Sequence, residues 1–178
     1  GGIYGDIDLF RETSYNRVLE DTWVGCYEGI KRCNIVLDNI ESVQMDETTK
    51  KKYKGEMLFI RALTYFNMVR LWGDVPLVIR YFDDPFQTFG IGRSPVNDVY
   101  EQIKNDLIEA SKILPEVPDN KRLGTAVSGS AKTLLGKVYL TLKDYDNAVK
   151  ILKEVIDSQQ YTFIQDYTEP VSYTHLRA

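Results

Sequence analysis

Two stretches of the chain carry the strongest hydrophobic pattern. Over about 18–41, apolar and small residues recur at intervals of three and four, which predicts an amphipathic helix. A polar break at 45–49 follows, and then 55–72 is apolar around nearly its whole circumference. Such a segment predicts a buried helix with neighbours on both flanks. Gly73 and Pro76 favour termination, because glycine accepts a left-handed backbone and proline cannot continue a helix.

Arg61 lies in the middle of the second predicted helix, on the same face as Leu58, Tyr65 and Met68. The charge argues against a membrane span, and an unpaired buried guanidinium costs about 3–5 kcal/mol. Glu56 is five residues before Arg61 and about 140° from it around the helix, so it is not the natural intrahelical partner. We expect Arg61 to be buried and bonded to backbone carbonyls or to a carboxylate of another helix. An anion-binding site is the alternative.

Three further helices are predicted after a long connection. Residues 73–93 have no helical period and contain several glycines and prolines, which indicates an irregular segment. Ser94 and Pro95 are typical of a helix start, with the serine as N-cap. Two more helices, over about 127–142 and 145–159, flank a tight turn. The sequence therefore predicts an all-α fold with five main helices.

The last two predicted helices have the residue spacing of a tetratricopeptide repeat. Gly136 and Ala148 are small residues where the two helices of a hairpin would approach closely, with Tyr139 and Leu152 filling the space around them. The early aromatic residue and the closing proline of that repeat are absent. The pattern therefore favours a helical hairpin more strongly than a regular repeat array.

Composition excludes some classes of function. A net charge of −4 gives no reason to expect a nucleic-acid partner. The chain has twelve tyrosines, seven phenylalanines and two tryptophans, an excess that suits carbohydrate-binding or interface surfaces as well as cores. Cys26 and Cys33 would lie about 10 Å apart along a helix, too far for a disulfide.

The sequence shows no arrangement typical of an active site. Asp83 and Asp84 are adjacent in a predicted loop, where a solvated pair is more usual than a glycosidase dyad. His175 is the single histidine, and no His/Cys cluster has metal-ligand spacing. We therefore expect no catalysis, no metal site and no cofactor.

Several of these residues resemble the signature of the SusD-like (RagB/SusD) family. In the first helix, Trp23, Tyr27, Ile30, Cys33 and Asn34 match a W-x3-Y-x2-I-x2-[CA]-N pattern of that family. In and after the second helix the matching residues are Gly55-Glu56, Phe59-Ile60-Arg61-Ala62, Tyr65-Phe66 and Val69-Arg70-Leu71-Trp72-Gly73-Asp74-Val75-Pro76-Leu77. The structural signature thus comprises Trp23, Tyr27, Asn34, Glu56, Arg61, Gly73 and Pro76.

The resemblance implies a SusD-like α-α superhelix, with tetratricopeptide-like hairpins and long irregular connections. It also implies a non-catalytic surface lipoprotein of the outer membrane. Such a protein binds oligosaccharide and delivers it to a SusC-like TonB-dependent transporter, and it meets the membrane only through a lipid anchor outside these residues.

The family's glycan contacts come largely from irregular segments. In this chain the leading segment is the best candidate, because Phe10, Arg11, Tyr15 and Asn16 combine ring faces with hydrogen-bonding groups and show no core period. The alternative is that the two aromatic residues pack on the first helix. Trp23 and Trp72 are poorer candidates, since both lie on core stripes.

The chain has no initial methionine and matches only the N-terminal part of a family member, so we interpret it as a fragment. We expect residues 1–170 to form one domain and 171–178 to be a non-native tail.

Two other functions stay open at this point: a tetratricopeptide-type adaptor that binds proteins, and a fragment of a helical glycoside hydrolase. A lipoprotein signal upstream and a neighbouring transporter gene would favour glycan uptake. Regular 34-residue repeats downstream would favour the adaptor. An inward-facing pair of carboxylates elsewhere in the protein would favour the hydrolase.

Overall fold

The computed structural model describes residues 16–118 and 124–161, and five α-helices make up most of this part of the chain. They are α1 (Arg17–Asn39), α2 (Glu47–Trp72), α3 (Val96–Ile113), α4 (Ser128–Thr141) and α5 (Tyr145–Asp157). Short 3-10 turns occur at Ile40–Ser42 and Pro85–Thr88. Within these ranges the backbone forms no β-strand, so the all-α prediction is confirmed.

Two helix starts differ from the prediction. The second helix begins inside the expected polar break, because the Asp46 side chain accepts the Thr49 N–H at 2.8 Å and caps it. Ser94 is not the N-cap of α3. Pro95 occupies that position, and the capping acceptor is Asp74 Oδ1, 2.9 Å from the Val96 nitrogen.

Each helix packs against the helices before and after it in sequence, with α2 between α1 and α3. The core is continuous across the first four helices, and Ile30, Tyr65, Phe66, Met68 and Ile103 are its largest fully buried hydrophobic side chains. The predicted neighbours on both flanks of α2 are therefore present. Its third side is open among the described residues, where Ile60, Leu63 and Leu71 are exposed.

Close approaches between helices occur at glycines. A Cβ at Gly136 would collide with the Leu152 side chain across the α4–α5 hairpin, and Ala148 beside it is 1% exposed. This confirms the close hairpin that the repeat-like spacing predicted. A Cβ at Gly55 would lie 2.8 Å from Leu114 Cγ, which explains the small residue where α2 meets the end of α3.

The connection between α2 and α3 is closed at its base. Gly73 ends α2 with a φ of 69°, a value that glycine adopts without strain. The Ser94 N–H then donates to the Val75 carbonyl at 3.0 Å, in an isolated antiparallel bridge. The two ends of the segment between Val75 and Ser94 are therefore held together, next to the end of α2.

Candidate functional site

Arg61 anchors a buried polar network beneath this connection. It donates from Nε and Nη2 to the two carboxylate oxygens of Asp106 on α3, each at 2.8 Å. Its Nη1 donates to Asn34 Oδ1 at 2.8 Å and to the Ile79 carbonyl at 3.1 Å. Gln102 Nε2 also donates to Asp106, at 2.7 Å. The expectation of a buried arginine bonded to another helix and to carbonyls is confirmed.

The charge of this arginine is compensated inside the protein. Arg61 is 6% exposed and Asp106 is 3% exposed. Burial by itself would lower the pKa of Arg61, but the hydrogen bonds and negative charge of Asp106 outweigh it and hold that pKa above its usual value. The guanidinium keeps its charge, which the Asp106 carboxylate balances, and four of its five N–H donors have partners inside the protein. This geometry supports the structural role rather than the anion site.

Asn34 links the Arg61 network to the backbone of the connection by hydrogen bonds. Its Nδ2 donates to the carbonyls of Val78 and Arg80, at 2.9 and 3.1 Å, while its Oδ1 accepts from Arg61. The side chain is fully buried on α1. One amide therefore links α1, α2 and the connection, and this explains an asparagine within an apolar stripe.

Two tyrosines hold the same stretch of backbone. The Tyr65 hydroxyl accepts the Val78 N–H at 2.7 Å and lies 3.0 Å from the Val78 carbonyl, to which it donates. The Tyr27 hydroxyl donates to the Pro76 carbonyl at 2.8 Å. Burial raises the pKa of Tyr65 to about 12 and that of Tyr27 further still, so both hydroxyls keep their protons at neutral pH.

The backbone at Tyr81, further along the connection, is also bonded to α1. Asp38 Oδ2 accepts the Tyr81 N–H at 2.6 Å. Side chains of α1 and α2 therefore bond the backbone of the connection at five positions: Pro76, Val78, Ile79, Arg80 and Tyr81. This stretch is an irregular segment with a fixed conformation.

An aromatic groove, with a volume of about 330 Å³, lies between α1 and residues 76–82 of the connection. Trp23 and Tyr27 line it from α1, with rings 5.1 Å apart, and Ile30 closes the base. Tyr81 and Phe82 line it from the connection. These four aromatic side chains are partly exposed, so ring surface is available to a ligand.

Charged groups stand at the groove beside these rings. Glu28 and Lys31 extend from α1, and Arg80 from the connection. The Arg80 guanidinium lies 4.7 Å from the centre of the Phe82 ring. Within the described ranges none of the three charged groups forms an ion pair.

The predicted ligand contacts lie mostly outside the described residues. Phe10, Arg11 and Tyr15 fall in that undescribed part. Asn16 is the N-cap of α1: its Oδ1 accepts the Val18 N–H at 2.9 Å, and the residue is 8% exposed. Its observed role is thus in starting the helix.

Sequence reasoning missed the groove. Helical spacing predicts Trp23 as a core residue. Its ring does contact Trp72, at 5.2 Å in an edge-to-face pair, and it also lines the groove. The aromatic pair Tyr81-Phe82 directly after an extended segment was an available signal. Nothing in the sequence separates Asp106 from the other acidic residues, because its partner is 45 residues away.

No cluster of metal-binding side chains occurs in 16–118 or 124–161, and Cys26 and Cys33 are free thiols. No helix in these ranges is long and apolar enough to cross a membrane.

The fold and the groove define a class of protein: packed helices that hold an irregular segment beside an aromatic groove. A family model described as SusD-like, "Starch-binding associating with outer membrane", matches residues 8–140. The chain belongs to the SusD-like family. SusD-like protein P2 of Formosa agariphila is 29% identical over 154 residues, which are 86% of this chain and 30% of that protein.

Solved structures agree with this assignment. A laminarin-binding SusD-like protein has a TM-score of 0.72 and 36% identity, covering 75% of this chain and 29% of the other. A structure with xylogluco-oligosaccharide has a TM-score of 0.80 and 28% identity, covering 93% and 35%. This chain therefore spans about a third of the length of its relatives.

Proposed function

We propose that this chain is part of a protein that binds oligosaccharide at the cell surface without altering it. The observation that carries the proposal is the SusD-like match over residues 8–140, together with an aromatic groove on the described fold. Relatives described as laminarin-binding and as bound to xylogluco-oligosaccharide support the same ligand class. Ring faces beside hydrogen-bonding groups suit sugars, which have apolar ring faces and hydroxyl edges.

In the proposed role, the full-length protein is an outer-membrane lipoprotein. It delivers its glycan to a SusC-like TonB-dependent transporter and requires no cofactor. The family's association with the outer membrane supports this location. The lipid anchor and a large share of the binding surface would belong to parts of the protein beyond this chain.

A binding assay with the full-length protein tests the proposal. Laminarin, xylogluco-oligosaccharide, starch oligosaccharides and uronic-acid oligosaccharides form the panel, and calorimetry measures affinity. We expect weak to moderate binding of at least one glycan, and no release of reducing ends over a long incubation. Release of reducing ends would identify an enzyme instead. Absence of binding across the panel would contradict the proposal that the protein binds oligosaccharide.

Delivery has its own test. The protein and the product of the neighbouring transporter gene are co-expressed, and the tagged protein is purified from detergent-solubilised outer membranes. We expect the two to co-purify, and we expect loss of the full-length protein to reduce growth on the bound glycan. Independent purification together with unchanged growth would contradict the role in uptake.

A further inference from the structure

We propose that the aromatic groove between α1 and residues 76–82 is a subsite that binds a sugar ring of the glycan. This inference rests on the proposed function and places one contact of that function on described residues. Its residues differ from Phe10, Arg11 and Tyr15, the contacts that the sequence predicts and that lie outside the described residues.

The shape of the groove fits a small number of sugar rings. Ligand pockets in proteins occupy about 300–1,000 Å³, so a volume of about 330 Å³ suits one or two rings rather than a long chain. Ile30, 1% exposed, and the half-buried Val78 give the base an apolar surface. A pyranose ring has an apolar face of C–H groups, which packs on such a surface and on aromatic rings.

The rings and the charged groups have different parts in this site. The Tyr27 hydroxyl is already bonded to Pro76, so Tyr27 offers its ring face. Tyr81 is 36% exposed, and it offers a ring together with a hydroxyl. Lys31 and Arg80 supply donors to sugar hydroxyls, and Glu28 is an acceptor. A sugar needs both kinds of partner, because each hydroxyl donates and accepts.

The same charged groups argue against an apolar ligand. Covering Glu28, Lys31 and Arg80 with a lipid chain would remove their hydration without replacing it, at a cost in free energy. Sugar hydroxyls replace that hydration. The Arg80 guanidinium also lies 4.7 Å from the centre of the Phe82 ring, and this contact holds it beside the groove before a ligand binds.

The groove is formed in advance by the buried network. The backbone of Val78 and Arg80 is bonded by Asn34, and that of Tyr81 by Asp38. A wall fixed by these bonds loses little conformational entropy when a ligand binds, which favours affinity. Such fixation also explains why an irregular segment can present Tyr81 in a defined position.

Two variants of the full-length protein test the subsite, with the best-binding glycan of the panel as the ligand. Tyr81→Ala removes a ring and Arg80→Ala removes a donor, and we expect each to weaken binding by about tenfold, or about 1.4 kcal/mol. Tyr145→Ala is the matched control, because Tyr145 is a 60% exposed tyrosine of α5 that does not line the groove. It should bind as the unchanged protein does.

Hydrogen exchange of the unchanged protein gives a second readout that does not depend on the variants folding. Bound glycan should slow amide exchange at residues 80–82 and leave α5 unaffected. If the glycan binds but neither variant weakens it and exchange at 80–82 is unchanged, the subsite is overturned while the proposed function stands. If no glycan of the panel binds the unchanged protein, both proposals fail together.

Discussion

Arg61 of α2 and Asp106 of α3 form a bidentate ion pair at 2.8 Å, although they are 45 residues apart and both nearly inaccessible. Asn34 of α1 completes the cluster by accepting from the same guanidinium. Three helices and the connection are therefore joined at one point. The cluster lies directly behind the backbone that forms one wall of the aromatic groove.

Replacing Arg61 tests the importance of this pair. Arg61→Ala leaves the Asp106 carboxylate buried without its partner, and we expect a loss of about 3–5 kcal/mol in unfolding free energy. Arg61→Met should be less harmful, because methionine retains packing volume. Urea unfolding measures both. Arg32→Ala, at an exposed position of α1, is the control and should change stability little. Equal, negligible losses for both Arg61 variants would contradict a buried pair.

Removing the charges of both partners separates pairing from packing. Arg61→Met combined with Asp106→Leu should be more stable than either single variant, since no unpaired charge is left inside. A double variant as unstable as the sum of its singles would mean that the two residues act independently.

Alkaline pH should destabilise the fold through Tyr65. Its pKa is about 12 when folded against 10.0 in the unfolded chain, so the unfolded state loses its proton first as pH rises. The stability from this group is complete below pH 10 and falls between about 10 and 12, by about 3 kcal/mol. Unfolding free energy measured from pH 8 to 12 should therefore decline less steeply in Tyr65→Phe. Tyr145→Phe, at an exposed position, should follow the unchanged protein throughout.

The same variant should be less stable at neutral pH. Without the Tyr65 hydroxyl, the Val78 N–H loses its 2.7 Å acceptor, at a cost of about 1–3 kcal/mol. Unaltered stability of Tyr65→Phe at pH 7 would show that this hydrogen bond is replaced by another acceptor.

Gly136 should not tolerate a side chain. Gly136→Val forces the Leu152 side chain away and separates α4 from α5, so we expect a loss of about 1–3 kcal/mol. Gly25→Val on α1 is the matched control, because a Cβ there meets nothing within 4 Å and the same helical propensity change applies. Thermal unfolding compares the two, and equal effects would indicate that propensity alone is responsible.

The leading segment has its own prediction. Tyr15→Ala should weaken glycan binding by the full-length protein without changing its circular dichroism, if the ring stacks on a sugar. Phe10→Ala is the companion variant in the same segment. Affinity that is unchanged in both would remove this segment from the binding site and would leave the aromatic groove as the site to pursue.

The sequence by itself determined the helices and much of their packing. Apolar periodicity and helix-stop residues are local signals, so they predicted α1, the end of α2 at Gly73 and the hairpin at Gly136. The physical cost of burying a charge also required a partner for Arg61. The sequence did not identify Asp106 as that partner. Local capping rules also misplaced the start of α3, because its capping acceptor is Asp74, at the other end of the connection.

Only the tertiary structure decided the site. Groove walls come from α1 and from a segment more than forty residues later, which is held there by hydrogen bonds to main-chain carbonyls. A carbonyl carries no residue identity, so no pattern in the sequence marks it as the acceptor of Asn34 or Tyr27. Trp23 shows the same limit: its helical spacing predicts a core position, and only the course of the connection leaves part of its ring facing a cleft.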